Sequence, residues 1–231
     1  MTESPQIGTL AEMSLHASLK AWYGRSGDQF EVSVDGFVVD IVRDDGAHLI
    51  EIQTGNFGAM KRKLARLLPD HQVTVVHPLA QEKWIVRETA VGVPVSRRKS
   101  PKRARFVDVF YELVHIPHLL THPHLRLELL ATQQEEIQRD DGQGSWRRRG
   151  WSIVDRRLLA VTDSACYDSP AALLALLPAA LPQPFTNREL AAALNGRISL
   201  AQKITYTLTH CAVLRKVGKQ GNAHLYQRAE I

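Results

Sequence analysis

The chain has 231 residues, 44% of them hydrophobic and 23% charged, and a formal net charge of +5. This length suits one large domain or two to three small ones, with ample material for a core. Cys166 and Cys211 lie far apart, which excludes a disulfide framework, and neither a signal-peptide pattern nor a membrane-length apolar run occurs. We expect a soluble, cytoplasmic protein.

The charge is distributed unevenly along the chain. Residues 1–80 carry a net charge of −3, whereas residues 81–165 and 166–231 each carry +4. An acidic first third followed by basic segments indicates a polyanionic partner bound by the later parts, although solvated surface charge could also lean positive.

The first 80 residues predict a helix, a three-stranded meander, a second helix and a further strand. Apolar residues recur at helical spacing in both helices, and the strands alternate or run continuously apolar. Asp35-Gly36 is a strong hairpin turn between the first two strands. The predicted bounds, in chain order, are 10–23, 30–34, 37–43, 47–54, 57–68 and 72–79.

Two acids interrupt the apolar pattern of the meander. Asp40 lies in the second strand and Glu51 in the third, where it shares a face with Gln53. Buried carboxylates are costly unless they are paired or bind a metal, and a divalent cation relieves the repulsion between two of them. The alternative is that both acids face solvent beside Arg43 and His48.

The element order, combined with Asp40 and the Glu51-x-Gln53 triplet, resembles the PD-(D/E)XK nuclease superfamily over residues 10–80. The resemblance implies that Asp40 and Glu51 bind Mg²⁺ or Mn²⁺, with Glu12 of the first helix as a further metal ligand. It also implies that Gln53 orients the attacking water. Most members have Lys at that position, and some recruit a Lys from the following helix, for which Lys61 and Lys63 are the candidates here.

The middle of the chain is predicted to contain more strands and a strongly basic run. One or two strands are expected in 83–95 and a helix, broken near Pro117, in 106–120. Further strands are expected in 125–139 and 146–163, followed by a short helix and a linker in 168–184.

Clustered cations in this region suit the phosphates of DNA, because they neutralise backbone charge without reading sequence. A solvated basic loop is the alternative. The candidate DNA-binding residues are Arg97, Arg98, Lys99, Lys102, Arg103, Arg105, Arg147, Arg148 and Arg149.

The C-terminal residues predict two helices and a hairpin. Thr186 with Glu189 forms a capping box before a helix at 186–194, and Ser199 with Gln202 suggests a second box before a helix at 199–214. Helix, turn, helix and hairpin together resemble a winged-helix domain, which implies DNA contact or, alternatively, protein contact. The candidate DNA-binding residues here are Lys203, Tyr206, Lys216 and Lys219.

We therefore expect an α/β protein with a restriction-endonuclease-like core (1–95), a basic middle lobe (96–182) and a winged-helix domain (183–231). The expected function is metal-dependent cleavage of DNA phosphodiester bonds. A non-catalytic DNA-binding or regulatory protein with a degenerate nuclease core, and a protein-interaction adaptor, are the alternatives. The expected partner is DNA and not a membrane, and a homodimer or a partner protein is left open.

Overall fold

A computed structural model describes residues 14–144, 146 and 150–229. This part of the chain is a mixed α/β structure with a seven-stranded mixed sheet, a two-stranded sheet and five α-helices. The elements are α1 Ser14–Tyr23, β1 Gln29–Val34, β2 Phe37–Arg43, β3 His48–Ile52, α2 Phe57–Leu67, β4 Gln72–Glu88, β5 Pro94–Lys99, α3 Phe110–Leu113, β6 Leu125–Asp140, β7 Trp151–Tyr167, α4 Asn187–Ala193, α5 Ile198–His210, β8 Leu214–Gln220 and β9 Ala223–Arg228.

The predicted meander of the first third is confirmed. β1 and β2 pair antiparallel around Asp35 and Gly36, which both have positive φ, as the tight turns of twisted hairpins require. β2 pairs antiparallel with β3, and α2 carries the chain across so that β3 and β4 run parallel. Of the first predicted helix, residues 10–13 lie outside the described residues.

The large sheet has the strand order β1-β2-β3-β4-β6-β7, and β5 also pairs with β4. The predicted strand 72–79 was too short. Strand structure is present at 83–88 as predicted, but it continues the same strand, and the next strand, β5, begins only at Pro94. One strand instead runs from Gln72 to Glu88, because β6 pairs with it in parallel along nearly its whole length. Its length depends on a partner that lies far away in the sequence.

Helices cover both faces of the sheet. The larger hydrophobic core extends from the sheet through α2 and α3 into α4 and α5. A smaller core joins α1 to β2, β3, β4 and β6 through residues that include Leu19, Ile41 and Ile52. The predicted domain boundary at residue 95 falls inside β5, and the sheet is continuous across it.

The helix predicted for 106–120 is largely wrong. A 3-10 turn spans Phe106–Val109 and α3 has one turn, after which the chain continues as turns past Pro117. Proline cannot donate a backbone hydrogen bond and disfavours a helical residue before it, so the apolar run cannot continue as a helix. β7 begins at Trp151 rather than 146 and extends to Tyr167.

The C-terminal block, residues 183–229, has the predicted order of two helices and a hairpin. The capping box of Thr186 and Glu189 at the start of α4 is confirmed. The second predicted box is wrong, because α5 follows Arg197 without a side-chain cap and ends at His210. Phe185 forms an isolated antiparallel bridge with Tyr226 beside the β8–β9 hairpin.

Within the described ranges, no helix combines the length and apolar character needed to cross a membrane.

Candidate functional site

Asp40 and Glu51 meet where the ladder between β2 and β3 ends. The register joins Ile41 to Ile50, so Asp40 and Glu51 are the next pair along these two strands. β2 is irregular here: Val39 packs in the larger core and Ile41 in the smaller one, although regular alternation would put both on one face. On β1, the residue opposite Asp40 is Glu31, which has a positive φ of 54°. The pair of Glu31 and Asp40 is missing from the β1–β2 ladder.

The carboxylate of Asp40 accepts a backbone hydrogen bond of the kind that a carbonyl oxygen accepts in a regular ladder. Its Oδ2 accepts a hydrogen bond from Ile52 N at 2.8 Å and lies 3.2 Å from His16 Nε2. Burial disfavours the charged form, but the hydrogen bond and charge of His16 and the Ile52 amide outweigh it, so the pKa of Asp40 lies below its ordinary value. Asp40 is therefore ionised at neutral pH.

Glu51 is more deeply enclosed, with its side chain 6% exposed. Burial raises the pKa of Glu51 to about 7, with Lys63 opposing the shift and Asp40 adding to it. Lys63 of α2 forms an ion pair with Glu51 Oε1 and donates to Val38 O at 2.5 Å. Oε1 accepts no hydrogen bond of regular geometry from the residues that the structure describes, so this ion pair is its compensation.

The remaining predicted catalytic residues lie elsewhere. Lys61 is exposed. It lies two residues before Lys63 in α2, so the two side chains lie on different faces of the helix. The side-chain amide of Gln53 donates to Gly55 O in its own loop. Glu12 lies outside the described residues. Of the two lysine candidates, Lys63 is the one that the fold brings to the acids.

His16 was missed by sequence reasoning. Its Nε2 lies 3.0 Å from Ile52 O as well as 3.2 Å from Asp40 Oδ2, and both atoms are acceptors, so the ring N–H donates to this pair. Helical spacing could have indicated it, because in the helix predicted over 10–23 His16 follows Glu12 by four residues and the two would share a face.

The oxygen atoms at the site match the ligands that Mg²⁺ prefers. They are the carboxylates of Asp40 and Glu51 and the carbonyl of Ile52, which converges with Asp40 on His16 Nε2. Glu51 Oε1 is a buried acceptor without a regular hydrogen bond, as expected of an atom that can coordinate a cation. In the described part of the chain, however, no three His, Cys, Asp or Glu side chains group closely enough to hold a metal.

The basic run divides into paired and unpaired cations. Arg97 pairs with Glu135 at 2.7 Å, Lys99 pairs with Glu82, and both lie over the ring of Trp84. By contrast, Arg98, Lys102 and Arg103 are exposed and form no ion pair with any described residue. Arg105 donates to Leu194 O at the end of α4 and so connects the run to the C-terminal block.

The other predicted DNA-binding residues are mostly exposed. Tyr206 is 47% exposed and its ring centroid lies 4.0 Å from that of His210. Lys203 is half-buried, with Nζ 5.9 Å from the ring centroid of Tyr111, whereas Lys216 and Lys219 are exposed on β8. Arg147, Arg148 and Arg149 lie outside the described residues.

Comparison with known proteins gives a family match over residues 13–168, described as "Domain of unknown function (DUF8091)". The chain belongs to the DUF8091 family. The DUF8091 region includes the acid pair, Lys63 and the basic run, and it ends before the C-terminal block.

A protein of Treponema pallidum (strain Nichols), described as uncharacterized, is 36% identical over 185 residues, which cover 80% of this chain and 73% of that protein. No solved structure matches the chain.

Proposed function

We propose that the protein is a metal-dependent DNA endonuclease whose active site is formed by Asp40, Glu51 and Lys63. The observation that carries this proposal is that Asp40 Oδ2 and the Ile52 carbonyl converge on His16 Nε2 at the end of the β2–β3 ladder, where the enclosed Glu51 is the residue opposite Asp40. Its support in the remaining chain is the exposed basic run and the two-helix and hairpin order of the C-terminal block, which is that of a DNA-binding winged helix.

Asp40, Glu51 and the carbonyl of Ile52 would hold Mg²⁺. Bound there, the ion would supply charge stabilisation at the transferring phosphate and favour ionisation of the attacking water. Asp40 is suited to this role because its low pKa keeps it ionised, and Ile52 N fixes its orientation.

Lys63 would contact the scissile phosphate or the attacking water. Its ammonium group is already held beside Glu51 by the ion pair and by Val38 O, so little side-chain entropy is lost on binding. Gln53 has an uncharged amide side chain, which donates to Gly55 O. It would therefore act only by stabilising the loop after β3.

A second candidate function is non-catalytic DNA binding by a degenerate nuclease core. The observation that favours it is that each acid already has a protein donor, His16 for Asp40 and Lys63 for Glu51. In this case the four side chains would form a structural network, and a divalent ion would not displace either donor.

Cleavage of duplex, branched and single-stranded DNA with Mg²⁺ or Mn²⁺ tests the two candidates. Lys63→Met should slow cleavage by roughly 10-fold to 100-fold, because a positioned cation at the reacting centre is lost. Lys61→Met is the matched control, since it makes the same change on the exposed face of α2 and should retain wild-type activity.

Binding without cleavage of any substrate by the wild-type protein would favour the non-catalytic function. Equal rates for the two lysine variants would remove Lys63 from the proposed site.

A further inference from the structure

A gap in the large sheet lies directly beyond the acid pair. β3 ends at Ile52, which pairs with Val76 of β4, and β5 joins the same edge of β4 only at Trp84. Residues 77–83 of β4 therefore have no strand neighbour on this side, although β6 continues along the other.

Pro78 fits this interruption. The carbonyls of Val76 and Ala80 bond to Gln53 N and Ala104 N, so alternate residues of β4 direct their backbone groups into the gap. The backbone of Pro78 has the same orientation. Proline has no N–H, and no ladder hydrogen bond is lost here because no neighbouring strand is present to accept one.

The gap opens into a groove with a volume of about 320 Å³. Leu15, next to His16 in the chain, and Thr54, two residues after Ile52, both line the groove. Ala104, between the cations Arg103 and Arg105, also lines it. The groove is therefore formed by segments that adjoin the acid pair and the basic run, although the side chains of Asp40 and Glu51 are not part of its wall.

The groove wall offers one aromatic ring and a cationic group. Tyr111 is half-buried and lines the groove. Lys83 and Arg156 also line it and share the carboxylate of Glu136, at 2.9 Å and 3.8 Å, so this trio carries one net positive charge. Two acids line the wall as well. Asp108 lies 3.5 Å from Arg105, and Glu112 Oε2 accepts a hydrogen bond from Phe57 N at 3.0 Å, so the positive charge is confined to the end formed by Lys83 and Arg156.

Two polar side chains of the wall are almost fully buried. His77 is 5% exposed, and its Nδ1 donates to Gln53 O at 2.6 Å, which leaves Nε2 as an acceptor without a partner among the described residues. Gln134 is also 5% exposed and donates to Thr132 Oγ1 at 2.7 Å. The wall therefore offers a polar ligand one acceptor without a protein donor among the described residues, His77 Nε2.

We propose that this groove binds an unpaired nucleotide of the DNA next to the scissile phosphate. Tyr111 would stack on the base, Lys83 and Arg156 would contact a phosphate, and His77 would accept a hydrogen bond from the base edge. A base inside a duplex is stacked and paired and cannot enter such a groove. The preferred substrate is therefore DNA with an overhang, flap or gap, an inference that rests on the proposed function.

The test uses the full chain and three duplexes of one sequence, which are blunt, 3′-overhanging or 5′-overhanging. Each carries 2-aminopurine at the terminal or first unpaired position, and binding is titrated without divalent ions so that no cleavage occurs. We expect at least one overhang to bind roughly tenfold more tightly than the blunt duplex, with quenched fluorescence, as base stacking on an aromatic ring requires.

Tyr111→Ala should abolish this preference and Tyr111→Phe, the matched control, should keep it. Arg156→Gln should weaken it independently, which covers the case in which Tyr111→Ala does not fold. Equal affinity for all three duplexes, or an unchanged preference in folded Tyr111→Ala and in Arg156→Gln, would overturn the inference.

The same three duplexes, incubated with Mg²⁺, separate this inference from the nuclease proposal. Cleavage without a preference for unpaired ends would retain the nuclease and reject the groove. Overhang binding without cleavage would retain the groove and reject catalysis.

Discussion

The acid pair and the basic run are two concentrations of charge in the described part of the chain, and they are built in opposite ways. The side chains of Asp40 and Glu51 are 18% and 6% exposed, and each contacts a donor from a helix. The cations of residues 97–105 are exposed. Arg97 and Lys99 pair with acids of β6 and β4, and Arg105 pairs with Asp108 in the adjacent 3-10 turn.

This difference decides how each region can act. Where water is largely excluded, charges interact strongly and shift each other's pKa, so a single substitution changes both chemistry and stability. At the surface, salt and water screen each charge, so the cations act together and over longer distances. The acid pair is therefore suited to catalysis and the basic run to binding.

The largest expected effect comes from Asp40→Asn. Its amide can still accept from Ile52 N, so the fold is retained, but the anionic ligand proposed for the metal is lost. We expect Mg²⁺-dependent cleavage to fall by about 100-fold or more, because even outer-shell partners of a bound metal are worth about 10-fold to 100-fold.

DNA affinity should be unchanged or slightly improved in Asp40→Asn, because a negative charge near phosphate is removed. Asp45→Asn is the control, since Asp45 is exposed in the turn between β2 and β3 and its positive φ is one that Asn tolerates. Residual wild-type cleavage by Asp40→Asn would show that the chemistry occurs elsewhere.

A smaller effect is expected on the pH dependence of stability, because Glu51 has a pKa of about 7 in the folded protein against an ordinary value of 4.5. Between these values the folded state binds more protons at this site than the unfolded state. The stabilisation from the protonated acid is present below pH 4.5 and is lost as the pH rises to 7.

The free energy of unfolding of the wild type should therefore fall more than that of Glu51→Gln between pH 4.5 and 8, by about 1–3 kcal/mol. Urea titrations at several pH values measure this difference. Parallel pH profiles of the two proteins would contradict the raised pKa, and Asp70→Asn, which changes an exposed acid after α2, serves as the control for loss of an acid.

The smallest effect, and the one most sensitive to conditions, concerns the two classes of cation in the basic run. A triple variant that changes Arg98, Lys102 and Arg103 to Gln removes exposed cations without ion pairs among the described residues. The dependence of log affinity on log salt should then become shallower by up to about 0.9 per lost phosphate contact on duplex DNA.

Arg97→Gln with Lys99→Gln is the comparison, because Glu135 and Glu82 already neutralise these residues. We expect a distinctly smaller change in slope for this double variant. Equal changes in slope for the two variants would mean that DNA displaces both acids. An unchanged slope in both variants would mean that the basic run is a solvated segment that does not contact DNA.

Much of the first third could be predicted because its signals are local. The Asp35-Gly36 turn, the alternation of the strands and the apolar face of α2 each depend on residues close in sequence, and the three strands of the meander appear within a few residues of their predicted bounds. The capping box of Thr186 and Glu189 is equally local. The box predicted at Ser199 was wrong because helix α5 begins at Ile198 instead.

The position of Asp40 opposite Glu51 also followed from the sequence, since strand parity and the length of the turn between β2 and β3 determine it. Three other features did not follow from the sequence. They are the identity of the lysine that reaches the acids, the contact of His16 with Asp40 and the gap beside β4. They depend on how α1 and α2 pack against the sheet and on where β3 ends and β5 begins, which are contacts between distant parts of the chain. Local periodicity determines each element and its faces, and only packing decides which faces meet.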